Sequence, residues 1–171
     1  MAAMSTWPLP QRSEPPHAPA GERAALEARL DFQRATLLMK CAGLTPEQLA
    51  MRSVEPSTLS LLGLIRHMSV VESWFHFYDD KPIHQFFWDY NPDHPDGSDD
   101  VDTNHAEDDL ASYLASVERS REAVAQCDLG DIMPDDDYNL RYVFLHMIEE
   151  YARHNGHADL LRERIDGTTG E

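Results

Sequence analysis

The stretch LRYVFLHMIEEYARHNGHADLLRERIDG holds the densest set of chemically useful side chains: His146, Glu149, Glu150, His154 and His157 fall within about three turns of a helix. At 3.6 residues per turn, Val143, Met147, Ala158, Leu161 and Ile165 form one apolar stripe, and projection places Glu150 and His154 inside it. An unpaired carboxylate in such a stripe is costly. A Glu and a His four residues apart lie about 6 Å apart along one face, where both can ligate one ion. The metal-free alternative is a simple Glu–His hydrogen bond. His157 projects nearly over Glu150 but almost two turns further on, so it is read as an outer hydrogen bonder, a helix-packing residue or a substrate contact. His146 falls at the edge of the stripe and is read as structural.

A third ligand is expected from a facing helix. In SLLGLIRHMSVVESWF, His67 lies beside Leu64, Val71 and Trp74, whereas Arg66, Ser69 and Ser73 are expected to point away. A lone histidine on such a face is more often a satisfied core residue; the Glu150/His154 pair reverses that preference. Two histidines and one carboxylate leave coordination positions open, as in catalytic zinc and in non-haem iron(II) sites. An open zinc lowers the pKa of bound water to about 7, and it equally holds an exogenous thiol as the reactive thiolate. Hydrolysis and thiol transfer are therefore both available. Neither Cys41 nor Cys127 has a recognisable place near the site, so a sulfur nucleophile must come from a small-molecule thiol.

Four long segments with helical periodicity are expected to position these groups. The first runs from about Gly21 to Gly43, followed by a short helical turn at Thr45-Pro46-Glu47. The second runs from about Ser57, its expected N-cap, to Tyr78. A long crossover loop follows from Asp79 to Thr103, rich in Pro and Asp around Phe86, Phe87 and Trp88. Asn104 is expected to cap the third helix, which extends to about Cys127, and Asn139 the fourth, which ends at Asp166-Gly167. The fold expected is an all-α four-helix bundle spanning residues 21–167, with neighbours that are not simply sequential. Residues 1–20, with five prolines, are expected to form a disordered lead-in, and residues 168–171 a flexible tail.

With 171 residues, one domain can bury roughly 70% of the surface its unfolded chain exposes. No apolar run approaches the roughly 18 residues needed to span a bilayer, and the lead-in lacks the apolar centre of a secretory signal, so a cytoplasmic protein is expected. A formal net charge of -17 disfavours nucleic acid and anionic membranes as partners. The two cysteines lack zinc-ribbon or CxxC spacing. The acidic runs read as solvated loops, because DDDYN lacks the glycine and final glutamate of an EF-hand loop.

LSLLGLIRHMSVVESWF and LRYVFLHMIEEYARHNGHADLLRERIDGTTG resemble the DinB-like metalloprotein superfamily, in the actinobacterial branch first called mini-circle proteins. The resemblance covers roughly Leu30 to Gly170, and EEYARHNGHADLLRE is its most specific run. It implies a four-helix bundle with one divalent metal, usually zinc or nickel, and frequently a homodimer; iron is an alternative from the ligand set alone, and the resemblance argues against an iron(II) oxygenase. Many relatives carry three histidine ligands. Here Glu150 stands four residues before His154, so the set His67, Glu150 and His154 looks like that of the mycothiol-dependent maleylpyruvate isomerase and S-transferase relatives. The function expected from this resemblance is a metal-dependent thiol S-transferase that joins mycothiol or a similar thiol to an electrophile in detoxification. One alternative is a metal hydrolase using bound hydroxide, with Glu149 and His157 as candidate catalytic groups. The other is a non-catalytic metal-binding stress-response protein.

Overall fold

The computed structural model describes residues 7, 9–18, 20–79, 81, 97–134 and 136–170. These form helices α1 (Glu22–Cys41), α2 (Pro46–Leu49), α3 (Leu61–Val71), α4 (Ala106–Val124) and α5 (Leu140–Asp166). A 3₁₀ segment, Glu72–Tyr78, continues α3, and another, Thr103–His105, leads into α4. No strand occurs among the described residues, only an isolated bridge between Ile132 and Asn139. The chain is all-α, as its periodicity implies. None of the described helices is long and apolar enough to cross a membrane.

Local chemistry explains where the helices begin and end. The Asn139 side chain accepts the Tyr142 N–H at 2.9 Å to open α5. At the other end Gly167 takes a left-handed conformation (φ 79°) and donates to the Glu163 carbonyl at 2.9 Å. Thr45 and Gln48 form a reciprocal capping box on α2, with Pro46 at the first helical position. Two caps differ from expectation. Ser57 accepts the Leu59 N–H at 3.2 Å within its own turn, so α3 starts later, where Ser60 accepts the Gly63 N–H at 3.1 Å. Asp102, not Asn104, opens the segment before α4: its carboxylate holds both the backbone and the side-chain N–H of Asn104, at 2.9 and 2.8 Å.

In the bundle α1 packs chiefly on α5, while α3 and its 3₁₀ continuation lie against α4 and also touch α5. With neighbours on several sides, α3 has almost no solvent face: Leu61 to Arg66, Met68 and Ser69 are all buried. This corrects the expectation that Arg66 and Ser69 point away. Ser69 donates to the Ile65 carbonyl at 2.8 Å, and Arg66 approaches the buried Asp109 of α4 at 3.4 Å. Gly63 is required where the chain returns before α4, because a Cβ there would meet the Ser98 carbonyl at 2.2 Å. Phe86, Phe87 and Trp88 of the expected crossover loop lie outside the described residues.

The described part of the lead-in has no regular secondary structure, as its prolines dictate, yet it is not detached. Trp7 is only 5% exposed and joins the core cluster, and the Arg12 guanidinium lies 4.7 Å from the centre of the Phe32 ring on α1. Burial of a large aromatic side chain offsets part of the entropy lost when its neighbours are ordered. Among the described residues of this segment, Trp7 and Arg12 therefore touch the fold.

Candidate metal centre

His67 on α3 and Glu150 and His154 on α5 each offer a ligand atom, all within 4.8 Å of one another. The two imidazole rings meet edge to face, with centroids 4.6 Å apart and planes at 63°. Nε2 of His154 lies 3.4 Å from a Glu150 carboxylate oxygen, and Arg153 holds the other oxygen of that carboxylate. All three residues are half-buried. Burial, then the neighbouring His67, pushes the His154 pKa down to about 4, although Glu150 pulls the other way. His154 is therefore a neutral imidazole at physiological pH, the form that donates a lone pair to a metal.

The stripe of α5 that is actually buried runs through Val143, Met147, Tyr151, Asn155, Ala158 and Leu161. Glu150 and His154 stand one residue, about 100°, away from Tyr151 and Asn155 and occupy its flank. The projection from sequence placed them inside the stripe; the correction leaves them reachable from solvent, as a site for an incoming molecule requires. Nδ1 of His157 lies 3.4 Å from Nδ1 of His154. His146 packs on Trp74 at 4.6 Å and is nearly parallel to Tyr142. Glu149 is exposed. Burial drives the Cys41 thiol up to about 12, and Cys127 is raised for the same first reason, so neither is an activated nucleophile.

Sequence reasoning missed a second polar cluster in the bundle core. Arg34 on α1 grips the Glu72 carboxylate with two N–H groups, at 2.9 and 2.7 Å. The Tyr151 hydroxyl donates to the same carboxylate at 2.5 Å and lies 3.0 Å from the Tyr113 hydroxyl of α4. Glu72, Tyr113 and Tyr151 have no exposed surface, and Arg34 has 7%. Burial works to raise the Glu72 pKa, but the Arg34 charge and hydrogen bonds outweigh it and hold the group ionised. The signal was present: Glu72 falls in the apolar run with Met68 and Phe75, the same anomaly that drew attention to Glu150.

The profile of one protein family, described as mycothiol-S-transferase, matches residues 25–167. The chain belongs to the mycothiol S-transferase family. This mycothiol S-transferase family is DinB-like, in agreement with the superfamily resemblance, and the matched span contains all three clustered donors together with Arg34, Glu72, Tyr113 and Tyr151. No curated protein matches the chain. Membership of a mycothiol S-transferase family points to chemistry in which a small thiol and a second small molecule are the partners.

Proposed function

We propose that the protein is a metal-dependent S-transferase that joins mycothiol, or a closely similar thiol, to an electrophile. In this reading His67, Glu150 and His154 hold one divalent ion, zinc. The observation that carries it is the gathering of two imidazoles and one carboxylate within 4.8 Å, from two helices, in a chain of the mycothiol S-transferase family. The donor set suits zinc: nitrogen and oxygen ligands, one of them held neutral, and among the described residues too few of them to close a tetrahedral shell.

When bound, such an ion would favour the thiolate form of a small thiol at neutral pH. The chain's own residues prepare the place. Glu150 contributes negative charge and is steadied by Arg153; His154 turns Nε2 toward Glu150 and Nδ1 toward His157. The raised thiols of Cys41 and Cys127 leave the nucleophile to the small molecule. In the overall reaction the thiol loses its proton, a carbon–sulfur bond forms, and the leaving group departs with its bonding pair.

The test is the metal content of protein purified without chelator, for the wild type, Glu150→Gln and His154→Ala, followed by turnover of an electrophile with and without mycothiol. About one zinc per chain in the wild type, lost in both variants, with turnover only when thiol is present, supports the proposal. Turnover without thiol would favour the hydrolase, and stoichiometric metal without turnover of any electrophile tried would favour a binding protein.

A further inference from the structure

The three donors sit on two separate helices, so their spacing depends on how α5 is rolled and slid against α3. A roll of about 20° displaces a side-chain tip ~6 Å from the helix axis by about 2 Å. Metal bonds tolerate about 0.2 Å. The hydrophobic effect itself has no preferred direction and interdigitated side chains fix orientation only within a scatter of some degrees; a short hydrogen bond to a fixed charge adds both distance and direction.

The core cluster supplies such a bond between these two elements. Glu72 lies five residues after His67, and Tyr151 directly follows Glu150. The Glu72 carboxylate cannot follow Tyr151 if α5 rolls, because Arg34 fixes both its oxygens from α1. One turn on, Asn155 directly follows His154 and donates to the Gln33 backbone and side-chain oxygens on α1, at 3.1 and 2.8 Å. Each donor of α5 is thus followed by a residue hydrogen-bonded to a neighbouring element, Tyr151 to the continuation of α3 and Asn155 to α1.

We propose that Tyr151, through its hydrogen bond to Glu72, is a positioning residue that sets the phase of α5 against α3 and so the gap between His67 and the Glu150/His154 pair. This rests on the metal reading above. Tyr113 touches the same hydroxyl from α4, which carries no donor, and supplies stability without setting that phase.

The experiment compares wild type, Tyr151→Phe and Tyr113→Phe by zinc affinity, measured against a competing chelator, and by the visible absorption of the cobalt(II)-loaded protein. Circular dichroism checks that each is folded. Tyr151→Phe keeps the ring; it is expected to weaken zinc binding at least tenfold and to alter the cobalt bands. Tyr113→Phe is expected to melt earlier yet bind zinc and cobalt as the wild type does. Should Tyr151→Phe fail to fold, Glu72→Asp keeps a charge opposite Arg34 while withdrawing the oxygen from Tyr151, and the same loss is expected of it. Wild-type affinity and cobalt bands in folded Tyr151→Phe, or in Glu72→Asp, overturn the proposal while leaving the metal reading intact. Absence of zinc and cobalt binding in the wild type overturns the metal reading itself, and the positioning role with it.

Discussion

His154 is a base weakened by its surroundings, and the consequence can be measured on metal-free protein. Burial and the neighbouring His67 lower its folded pKa to about 4, against about 6.5 for an unperturbed imidazole. The unfolded chain therefore takes up the proton first as the pH drops. The stability contributed by neutral His154 is complete above about pH 6.5 and is lost as the pH falls toward 4. In a histidine NMR titration its ring signals should stay at their neutral positions until well below pH 5; a midpoint near 6.5 would contradict this description. At this scale the candidate donors were legible, because four-residue spacing of Glu and His in an apolar context is uncommon. Their phase was not: Tyr151 and Asn155 are ambiguous between surface and core, and Val143, Met147 and Ala158 alone leave the centre of the stripe undetermined by about one residue. The Arg34 to Glu72 pairing was invisible for another reason, since nothing in the order of residues states which cation from α1 meets a carboxylate of the second helical segment.

At the scale of elements, a buried clamp of two hydrogen bonds from Arg34 to Glu72 joins α1 to the 3₁₀ continuation of α3. Arg34→Met retains much of the volume but strands a buried carboxylate. Removing one partner of a buried pair costs about 3–5 kcal/mol, and urea denaturation of the variant should show a loss of that size at pH 7. A loss under about 1 kcal/mol would mean that Glu72 is not left stranded in the variant, because taking up a proton at pH 7 itself costs a carboxylate of ordinary pKa about 3.7 kcal/mol. Helix boundaries were legible where a single cap had no competitor, as at Asn139, Gly167 and Thr45. They were misjudged where two polar residues stood close together, as with Ser57 and Ser60 or Asp102 and Asn104, because the choice between them depends on the turn that precedes the helix.

For the molecule as a whole, the lead-in changes the estimate of what is needed for stability. Trp7 belongs to the same core as Leu37, Leu61 and Phe144. Trp→Ala in a core costs about 3 kcal/mol or more, so Trp7→Ala should lower the melting temperature by roughly 6–12 °C at this chain size. An unchanged melting temperature would return the segment to the status of a loose tail. Proline content announced the lack of helix there but could not say whether one indole would dock. The pairing of α1 with α5 bears on how the protein is made. At ~5–20 residues per second, α5 leaves the ribosome on the order of 5–20 s after α1. Through that interval Leu30, Leu37 and Cys41 wait without the partner that later covers them. A growing chain of this design presents apolar surface to chaperones while everything between α1 and α5 is made, and the three gathered donors cannot meet until translation has passed His154.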